Sequence, residues 1–290
     1  MLRSLYSGVS GMKNLQTKMD VISNNIANVN TTGFKSNRVL FQDLMSQTTQ
    51  GANGPANGLG GTNATQIGLG VQTGAISTDF AVGAPQGTGN AMDFYITGSG
   101  FFIVKGQGNE TFYTRDGALV RDSQGNITNN AGMKLQGVKA AENTKYGEDF
   151  DPAGIDPTEQ DLTDLEVPKE MDGKGYQSMS IDQNGLVLGK YGDETYVLGK
   201  VAMATFNNPG GLEKAGGNNY TLSANSGEPI VSSSGQNGAG SLEAGNLEMS
   251  NVDLSTEFTE MIIASRAYQA NSRSITTSDE MLQELINLKR

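Results

Sequence analysis

Two glycine clusters and one acidic run are the stretches of this sequence that could bind a ligand or a metal ion. Gly68–Gly70 and Gly98–Gly100 lack the spacing of dinucleotide-binding and phosphate-binding loops, so we interpret both as turns. The acidic run from Glu148 to Asp172 lacks the ligand spacing of an EF-hand loop, and we interpret it as a solvated loop rather than a calcium site. The sequence therefore predicts no cofactor and no metal.

The composition removes most catalytic constellations. The 290 residues include no Cys and no His, which excludes disulfides, thiolate or imidazole metal ligands, and Ser-His-Asp or Cys-His catalysis. Carboxylate and Ser-Lys chemistry stays open. The formal net charge is −11 and no basic stripe is present, which argues against nucleic acid as a partner. We expect a protein that is not an enzyme.

No stretch approaches the roughly 18 apolar residues that a membrane span requires. The N-terminal segment contains an Arg, but Lys13 and several Gly, Ser and Asn residues interrupt its apolar positions. No small-residue cleavage site follows it. We therefore expect neither membrane insertion nor a cleaved secretory signal.

Both ends of the chain carry an apolar repeat of seven residues, which predicts helices that pack along a narrow seam. In residues 2–26 the repeated positions are Leu5, Met12, Met19 and Ile26, with Leu2, Val9, Gln16 and Ser23 offset by three. Near the C-terminus they are Met261, Tyr268, Ile275 and Leu282, with Phe258, Ser265, Ser272, Asp279 and Ile286 offset. Asp253 or Ser255 can cap the second helix. Two ordinary amphipathic helices packed on their own core would show similar repeats.

A comparison of burial free energy with backbone entropy favours helices that pack in an assembly over helices that pack only on their own core. About six apolar seam residues at 1.5–3 kcal/mol each yield on the order of 10 kcal/mol when fully buried. Ordering about 25 residues costs roughly 1–2 kcal/mol each in backbone entropy. We therefore predict that the N-terminal segment is disordered in a monomer and folds against partners.

Between the ends the apolar period changes to two, as in strands. Residues 177–206 predict three strands joined by the turns DQNG and YGDE, and residues 93–104 predict a strand broken at Gly98–Gly100. The predicted fold is α+β. Residues 1–30 and 250–290 form a coiled-coil-like terminal domain, and residues 71–138 and 175–231 form a mostly antiparallel β domain.

The remaining segments are predicted as linkers and an insertion. Residues 31–70 and 232–249 are rich in Gly, Asn, Ser and Thr, which is typical of linkers, and we expect the first to become ordered in an assembly. Residues 139–174 are predicted as an acidic insertion on the β domain. Residues 139–176 hold eleven acidic against four basic residues, a net charge of −7.

Several segments resemble the bacterial flagellar rod and hook protein family. The N-terminal signature of that family resembles ANVNTTGFKSNRVLFQDL (27–44), and its C-terminal signature resembles LEMSNVDLSTEFTEMIIASRAYQANSRSITTSDEMLQELINLKR (247–290). Its central blocks are similar to DFYITGSGFFIV (93–104), YTRDGALV (113–120) and NPGGLEKAGGNNYTLSANSGEP (208–229). Within the family, SNVDLSTEFTEMI (250–262) and the closing NLKR are more similar to hook proteins than to distal rod proteins. The N-terminus, residues 1–35, is similar to the short hook proteins of Gram-positive bacteria.

The resemblance implies a structural subunit of the flagellar hook, a bent tube that acts as a universal joint around an export channel. The implied partners are copies of the same chain, the rod, the hook cap, the hook–filament junction proteins and the flagellar type III export apparatus. The implied location is the extracellular flagellum. A distal rod subunit is the alternative. A monomeric secreted binding module or carbohydrate-active enzyme is a third hypothesis, and it requires a fully ordered monomer.

Three groups of residues are predicted to serve assembly. The helix seams that hold the inner tube are Leu5, Val9, Met12, Met19, Ile26, Phe258, Met261, Tyr268, Ile275 and Leu282. The first helix must end near residues 28–30, and intersubunit polar contacts are predicted for Asn24, Asn25, Asn28 and Asn30, against the alternative of a helix cap with ordinary polar surface. Anchors of the first linker are predicted at Phe34, Leu40, Phe41 and Leu44, which give it its only sizeable apolar surface.

Overall fold

The computed structural model describes residues 2–55, 60–141, 144–146, 157 and 162–288. The chain divides into two compact units. The terminal unit consists of residues 1–28, 36–79 and 252–290, and the β unit consists of residues 29–35 and 80–251. The chain therefore passes between the units four times, after residues 28, 35, 79 and 251.

The terminal unit combines two helices with two short antiparallel ladders. Its elements are α1 (Leu2–Ala27), β1 (Asn37–Asp43), β2 (Gln47–Gln50), β3 (Thr65–Ile67), β4 (Val71–Thr78) and α2 (Leu254–Leu288). The helices are antiparallel, since Gly8 lies against Ile275 and Lys18 pairs with Glu260. No helix in the described part of the chain is long and apolar enough to span a membrane.

Strands β1 to β4 form a paired hairpin, although the composition of residues 31–70 predicts a linker. Strand β1 pairs with β4 from Asn37 opposite Thr78 to Asp43 opposite Val71, and β2 pairs with β3. The β-prone residues of β1 and β4 form this ladder, and an isolated bridge between Asn53 and Thr62 lies beyond β2 and β3. Strand β4 thus belongs to the terminal unit rather than to the β domain that we predicted from residue 71.

The β unit contains the remaining strands, which are short. They are β5 (Pro85–Gly87), β6 (Phe94–Thr97), β7 (Phe101–Lys105), β8 (Thr111–Thr114), β9 (Leu119–Arg121), β10 (Ile127–Asn129), β11 (Lys134–Lys139), β12 (Thr163–Asp164), β13 (Glu170–Met171), β14 (Lys174–Ile181), β15 (Leu186–Tyr191), β16 (Glu194–Val201), β17 (Met203–Thr205), β18 (Glu213–Gly216), β19 (Asn219–Thr221), β20 (Ile230–Ser232), β21 (Ser241–Ala244) and β22 (Asn246–Glu248). The described pairings are antiparallel, so the α+β prediction is confirmed.

One sheet of fourteen strands organises the β unit, with the central order β13-β14-β15-β16-β11-β7-β8-β19-β18. The three-stranded meander β14-β15-β16 has both predicted turns. In the first, Asp182 N–H donates to the Leu186 carbonyl and Gly185 N–H to the Asp182 carbonyl, and in the second Tyr191 lies opposite Glu194. The break at Gly98–Gly100 is also present, between β6 and β7. Both terminal glycines of this break have φ near +130°, which only glycine adopts readily.

Two apolar clusters fill the β unit because strand side chains alternate between faces. In β7, Phe102 and Val104 point into the larger cluster, and Phe101 and Ile103 into the smaller one. The smaller cluster is joined by edge-to-face aromatic contacts, such as Phe101 with Tyr220 at 5.9 Å between ring centroids. Together the two clusters form a hydrophobic core like that of an ordinary globular domain.

Two predicted peripheral segments belong to this core. In the predicted acidic insertion, Leu165 and Val167 are buried and β12 pairs with β11. We predicted a solvated insertion from the net charge of the segment, which does not reveal this alternation of apolar and acidic residues. Residues 142–143, 147–156 and 158–161 of the predicted insertion lie outside the described part of the chain. The predicted return linker, residues 232–249, supplies β21 and β22, which pair with β6 and β5.

Candidate assembly surface

The two helices pack along a seam whose second row differs from the predicted one. In α1, Leu5, Met12, Met19 and Ile26 are half-buried, and the second row is Gly8, Leu15 and Ile22. In α2, Met261, Ile275 and Leu282 are half-buried, Tyr268 is at the border of exposure, and the second row is Glu257, Ala264, Asn271 and Ser278. In both helices the observed second row lies three residues after the first row. We predicted a second row that lies three residues before the first row.

Small side chains explain the difference. A Cβ atom on Gly8 would lie 3.1 Å from Ile275 Cγ1, and one on Gly11 would lie 2.8 Å from Asn271 Nδ2. Glycine therefore permits a close helix approach that a larger residue would prevent. The predicted seam residues Val9 and Phe258 face away and are about half exposed.

The terminal unit presents an extensive apolar surface. Exposed large apolar side chains on its helices are Tyr6, Val9, Leu254, Phe258, Ile262, Ile263, Tyr268, Met281, Leu285, Ile286 and Leu288. Those on its hairpin are Leu40, Phe41, Met45, Ile67, Leu69 and Ile76. Monomeric proteins rarely expose so many apolar side chains together, and such surfaces mark contact sites.

Asn25, for which we predicted intersubunit contacts, is buried within its own chain. It is 1% exposed, and its amide is used within its own chain. Asn25 Nδ2 donates to the Asn37 carbonyl at 2.9 Å and to Glu257 Oε1 at 3.0 Å, while Asn37 N–H donates to Asn25 Oδ1 at 3.0 Å. One amide thus joins α1, β1 and α2. An amide suits this position because it donates and accepts at once.

A second α1 asparagine, which we did not single out, joins the hairpin in the same way. Asn14 Nδ2 donates to the Val71 carbonyl at 2.6 Å, and Thr73 Oγ1 donates to Asn14 Oδ1 at 2.9 Å. A single Asn inside a heptad repeat carries no signal of such a role.

The other three asparagines surround the end of α1. Asn24 and Asn30 are exposed, and Asn28 is half-buried with its Nδ2 donating to the Asn24 carbonyl at 2.9 Å. The helix ends at Ala27, close to the predicted end. Gly33 then has φ +67°, and a Cβ there would lie 2.8 Å from the Asp116 backbone nitrogen, so both conformation and space require glycine.

The four predicted linker anchors fall into two environments. Phe34 is buried in the β unit, with Lys214 Nζ 5.0 Å from its ring centroid. Leu40 and Phe41 are exposed on β1, and Leu44 is half-buried.

A groove of about 570 Å³ lies within the terminal unit, between α1, the base of the hairpin and the start of α2. Ile22 and Val39 give it an apolar floor, and the Lys18–Glu260 ion pair lies at its rim. Burial raises the pKa of Glu257, which also lines it. The groove can accept a polar or apolar side chain. The described residues contain no cluster of three or more potential ligands that could hold a metal ion.

An ionic cluster in the β unit was also missed by the sequence analysis. Glu248, Lys35 and Arg115 are almost fully buried, and Glu248 forms an ion pair with each of the two cations. Each lies in a segment that carries the family resemblance, but the three positions are far apart in the sequence and nothing in the pattern pairs them.

Family comparisons match the two ends and the middle of the chain. Residues 5–35 match "Flagella basal body rod protein", residues 95–189 match "Flagellar hook protein FlgE/F/G D1 domain", and residues 243–288 match "Flagellar basal body rod FlgEFG protein C-terminal".

Whole proteins also match over their full lengths. The chain is 44% identical over 292 residues to flagellar basal-body rod protein FlgG of Bacillus subtilis, and 36% identical over 292 residues to the FlgG of Borreliella burgdorferi, with all of each chain covered. It is 31% identical over an alignment of 442 residues to flagellar hook protein FlgE of Borreliella burgdorferi, again with both chains covered. With full-length relatives of both types and three matching family segments, the chain belongs to the flagellar rod and hook protein family, whose members are structural subunits of the bacterial flagellum.

Proposed function

We propose that the chain is a subunit of the flagellar basal-body rod, of the distal type, and that it polymerises with its own copies. The observation that carries this proposal is the 44% identity to a rod protein over 292 residues, which leaves almost no room for insertions. Alignments with hook proteins extend over 442 and 464 residues, so those proteins carry long segments that this chain lacks.

The terminal unit is the part that we propose for assembly. Its exposed apolar side chains form one group along α1 and α2 and another on the hairpin. Packing against other copies would remove this surface from water, at about 25 cal/mol per Å² of apolar area. In this proposal the helices form the inner tube, and Leu40 and Phe41 anchor the hairpin on a neighbouring copy.

Polar contacts supplement the apolar ones in this proposal. Asn24 and Asn30 are exposed beside the end of α1 and are suited to intersubunit hydrogen bonds, whereas Asn25 is already bonded within the chain. The subunit is exported through the flagellar channel without a cleaved signal and lies outside the cytoplasm, in contact with other flagellar components.

The hook is the second candidate, and the 31% identity to a hook protein over its whole length favours it. A deletion in the bacterium that carries this chain separates the two. Electron microscopy of purified basal bodies should reveal no completed rod, with restoration by the wild-type chain on a plasmid. Complete rods without hooks would instead identify a hook subunit and overturn the rod proposal.

A further inference from the structure

Three segments of the β unit carry all four passages of the chain to the terminal unit. Residues 29–35 carry two of them, residues 80–84 begin at the third, and residues 248–251 end at the fourth. These segments are distant in sequence, and none continues as a long element of the central sheet. What holds them on the β unit therefore determines how that unit is attached to the rest of the chain.

One carboxylate connects the three segments. Lys35 Nζ donates to Glu248 Oε1 at 2.5 Å and to the Ala81 carbonyl at 2.7 Å. Gly83 N–H donates to the same Glu248 oxygen at 2.9 Å. A side chain from the first segment and a backbone amide from the second thus donate to one carboxylate oxygen of the last segment.

Backbone contacts run beside these bonds. Gly33 N–H donates to the Glu248 carbonyl at 2.8 Å, and Met249 N–H donates to the Ala84 carbonyl at 3.0 Å. A Cβ atom on Gly83 would lie 2.0 Å from the Met249 carbonyl oxygen, so the second and third segments touch backbone to backbone. The three segments therefore pack against one another at one place instead of contacting the sheet separately.

Arg115 connects this contact to the sheet. Its Nη1 donates to Glu248 Oε2 at 3.3 Å and its Nη2 to the Gly98 carbonyl at 2.8 Å. Its guanidinium group lies 5.3 Å from the ring centroid of Phe101, a core residue of β7. The Glu248 carboxylate thus accepts hydrogen bonds from Arg115, which contacts the sheet, and from Lys35 and Gly83 in the connecting segments.

Burial makes the cluster cooperative. The side chains of Lys35, Glu248 and Arg115 are 0%, 1% and 2% exposed. A buried charge is strongly destabilising once its partner is removed, because water cannot replace the lost interactions. Loss of the Glu248 charge removes the ion pairs of both cations at once, so the contacts of the three segments should fail together.

We propose that Lys35, Glu248 and Arg115 form a latch that fixes every connecting segment of the β unit at one point. With the latch broken, residues 29–35, 80–84 and 248–251 detach as a group while the central strands stay folded. This role does not depend on whether the polymer is a rod or a hook. In either, the latch lies on the path by which force passes along the chain into the β unit.

Hydrogen–deuterium exchange of the purified full chain tests the latch. In Glu248→Gln, which keeps the shape and removes the charge, we expect exchange of the Gly33, Gly83 and Met249 amides to accelerate at least about tenfold. Amides of β7, β11 and β16 should stay protected. The matched control is Glu166→Gln, which removes the anion of the exposed Lys139–Glu166 pair in the same unit and should change none of these amides.

A second variant isolates the ionic mechanism. Lys35→Met/Glu248→Gln removes an opposite pair of charges, so it should restore part of the protection that Glu248→Gln loses. Lys35→Met alone, which leaves Glu248 paired with Arg115, provides the readout on residues 29–35 if Glu248→Gln does not fold. Three results would each overturn the proposal. They are amide exchange that is unchanged in Glu248→Gln or Lys35→Met, exchange that accelerates equally in β7, β11 and β16, and a double variant whose loss of protection is the sum of the two single losses.

Discussion

The two units of this protein place their apolar side chains in opposite ways. Among the described residues of the terminal unit, the buried apolar side chains are those of Ile22, Val39 and Ala264, while many larger ones are exposed. In the β unit the relation is reversed: its large apolar side chains fill two clusters, and few, such as Val120 and Ile230, are exposed.

This difference indicates how each unit is stabilised. The β unit has a domain-like core that can offset its chain entropy, whereas α1 and α2 bury little apolar area between them. Helices of this kind depend on tertiary or quaternary contacts. That α1 is disordered in a free monomer remains a prediction. Circular dichroism of the chain with and without residues 1–30 tests it, and a loss of helical signal after truncation would contradict it.

The largest effect is expected from a substitution in the core of the β unit. Leu135→Ala empties a fully buried site in the larger cluster and should lower the free energy of unfolding of the β unit by about 2–5 kcal/mol. Ile262→Ala, at a site that is 61% exposed on α2, should leave monomer stability unchanged. Urea unfolding of both variants measures the contrast, and an equal loss in both would contradict the distinction.

A second prediction concerns the exposed apolar surface as an assembly site. Ile262→Ser removes a side chain whose burial between copies would contribute about 1.5–3 kcal/mol, so the critical concentration for polymerisation should rise roughly 10- to 100-fold. Sedimentation of the polymerised chain measures it. The control is Val120→Ser, at a comparably exposed position of the β unit. Equal changes in the two variants would argue against the terminal unit as the assembly surface.

A third prediction sharpens the role of amides inside the terminal unit. Asn25→Ala removes its hydrogen bonds to Glu257 and to both backbone groups of Asn37, and should destabilise this unit by about 1–3 kcal/mol. Asn24→Ala, one position earlier and exposed, should have no such effect. Exchange rates of amides in β1 report the difference. Similar rates in both variants would mean that the buried amide contributes nothing.

The smallest expected effects are opposite responses to acid in the two units. Burial raises the pKa of Glu257, so its ionised form weakens the terminal unit at neutral pH, and this cost disappears as the pH falls toward the ordinary value of 4.5. A hydrogen bond from Tyr196, with help from Lys174 and Lys145, lowers the pKa of Glu194 to about 2. The stability it gives the β unit is present above pH 4.5 and is lost as the pH falls toward 2.

Charge-neutral variants separate these two contributions. Urea titrations at successive pH values should show a flatter profile between pH 7 and 4.5 for Glu257→Gln, and between pH 4.5 and 2 for Glu194→Gln. A profile of Glu257→Gln that matches the wild type would contradict the assignment for the terminal unit.

Patterns that are local in sequence were predictable. The change of apolar period from seven to two separated the terminal helices from the strands, and the turn residues predicted the meander of residues 177–206 and the break at Gly98–Gly100. The long end segments sufficed to recognise the family. Composition misled at strands β1 to β3, which lie in the predicted linker 31–70, and at residues 162–174, because it averages over apolar residues that pair or become buried only in the fold.

The tertiary structure decided what depends on distant partners. A heptad repeat is compatible with a second row on either side of the first, and only the close approach at Gly8 and Gly11 selects one of them. The sequence shows that Asn25 is polar, but only its neighbours show that it is buried and bonded within the chain. Glu248 lies 213 residues from Lys35 and 133 from Arg115. Spacing cannot reveal such a contact, because folding alone brings these charges together and removes the water that would otherwise screen them.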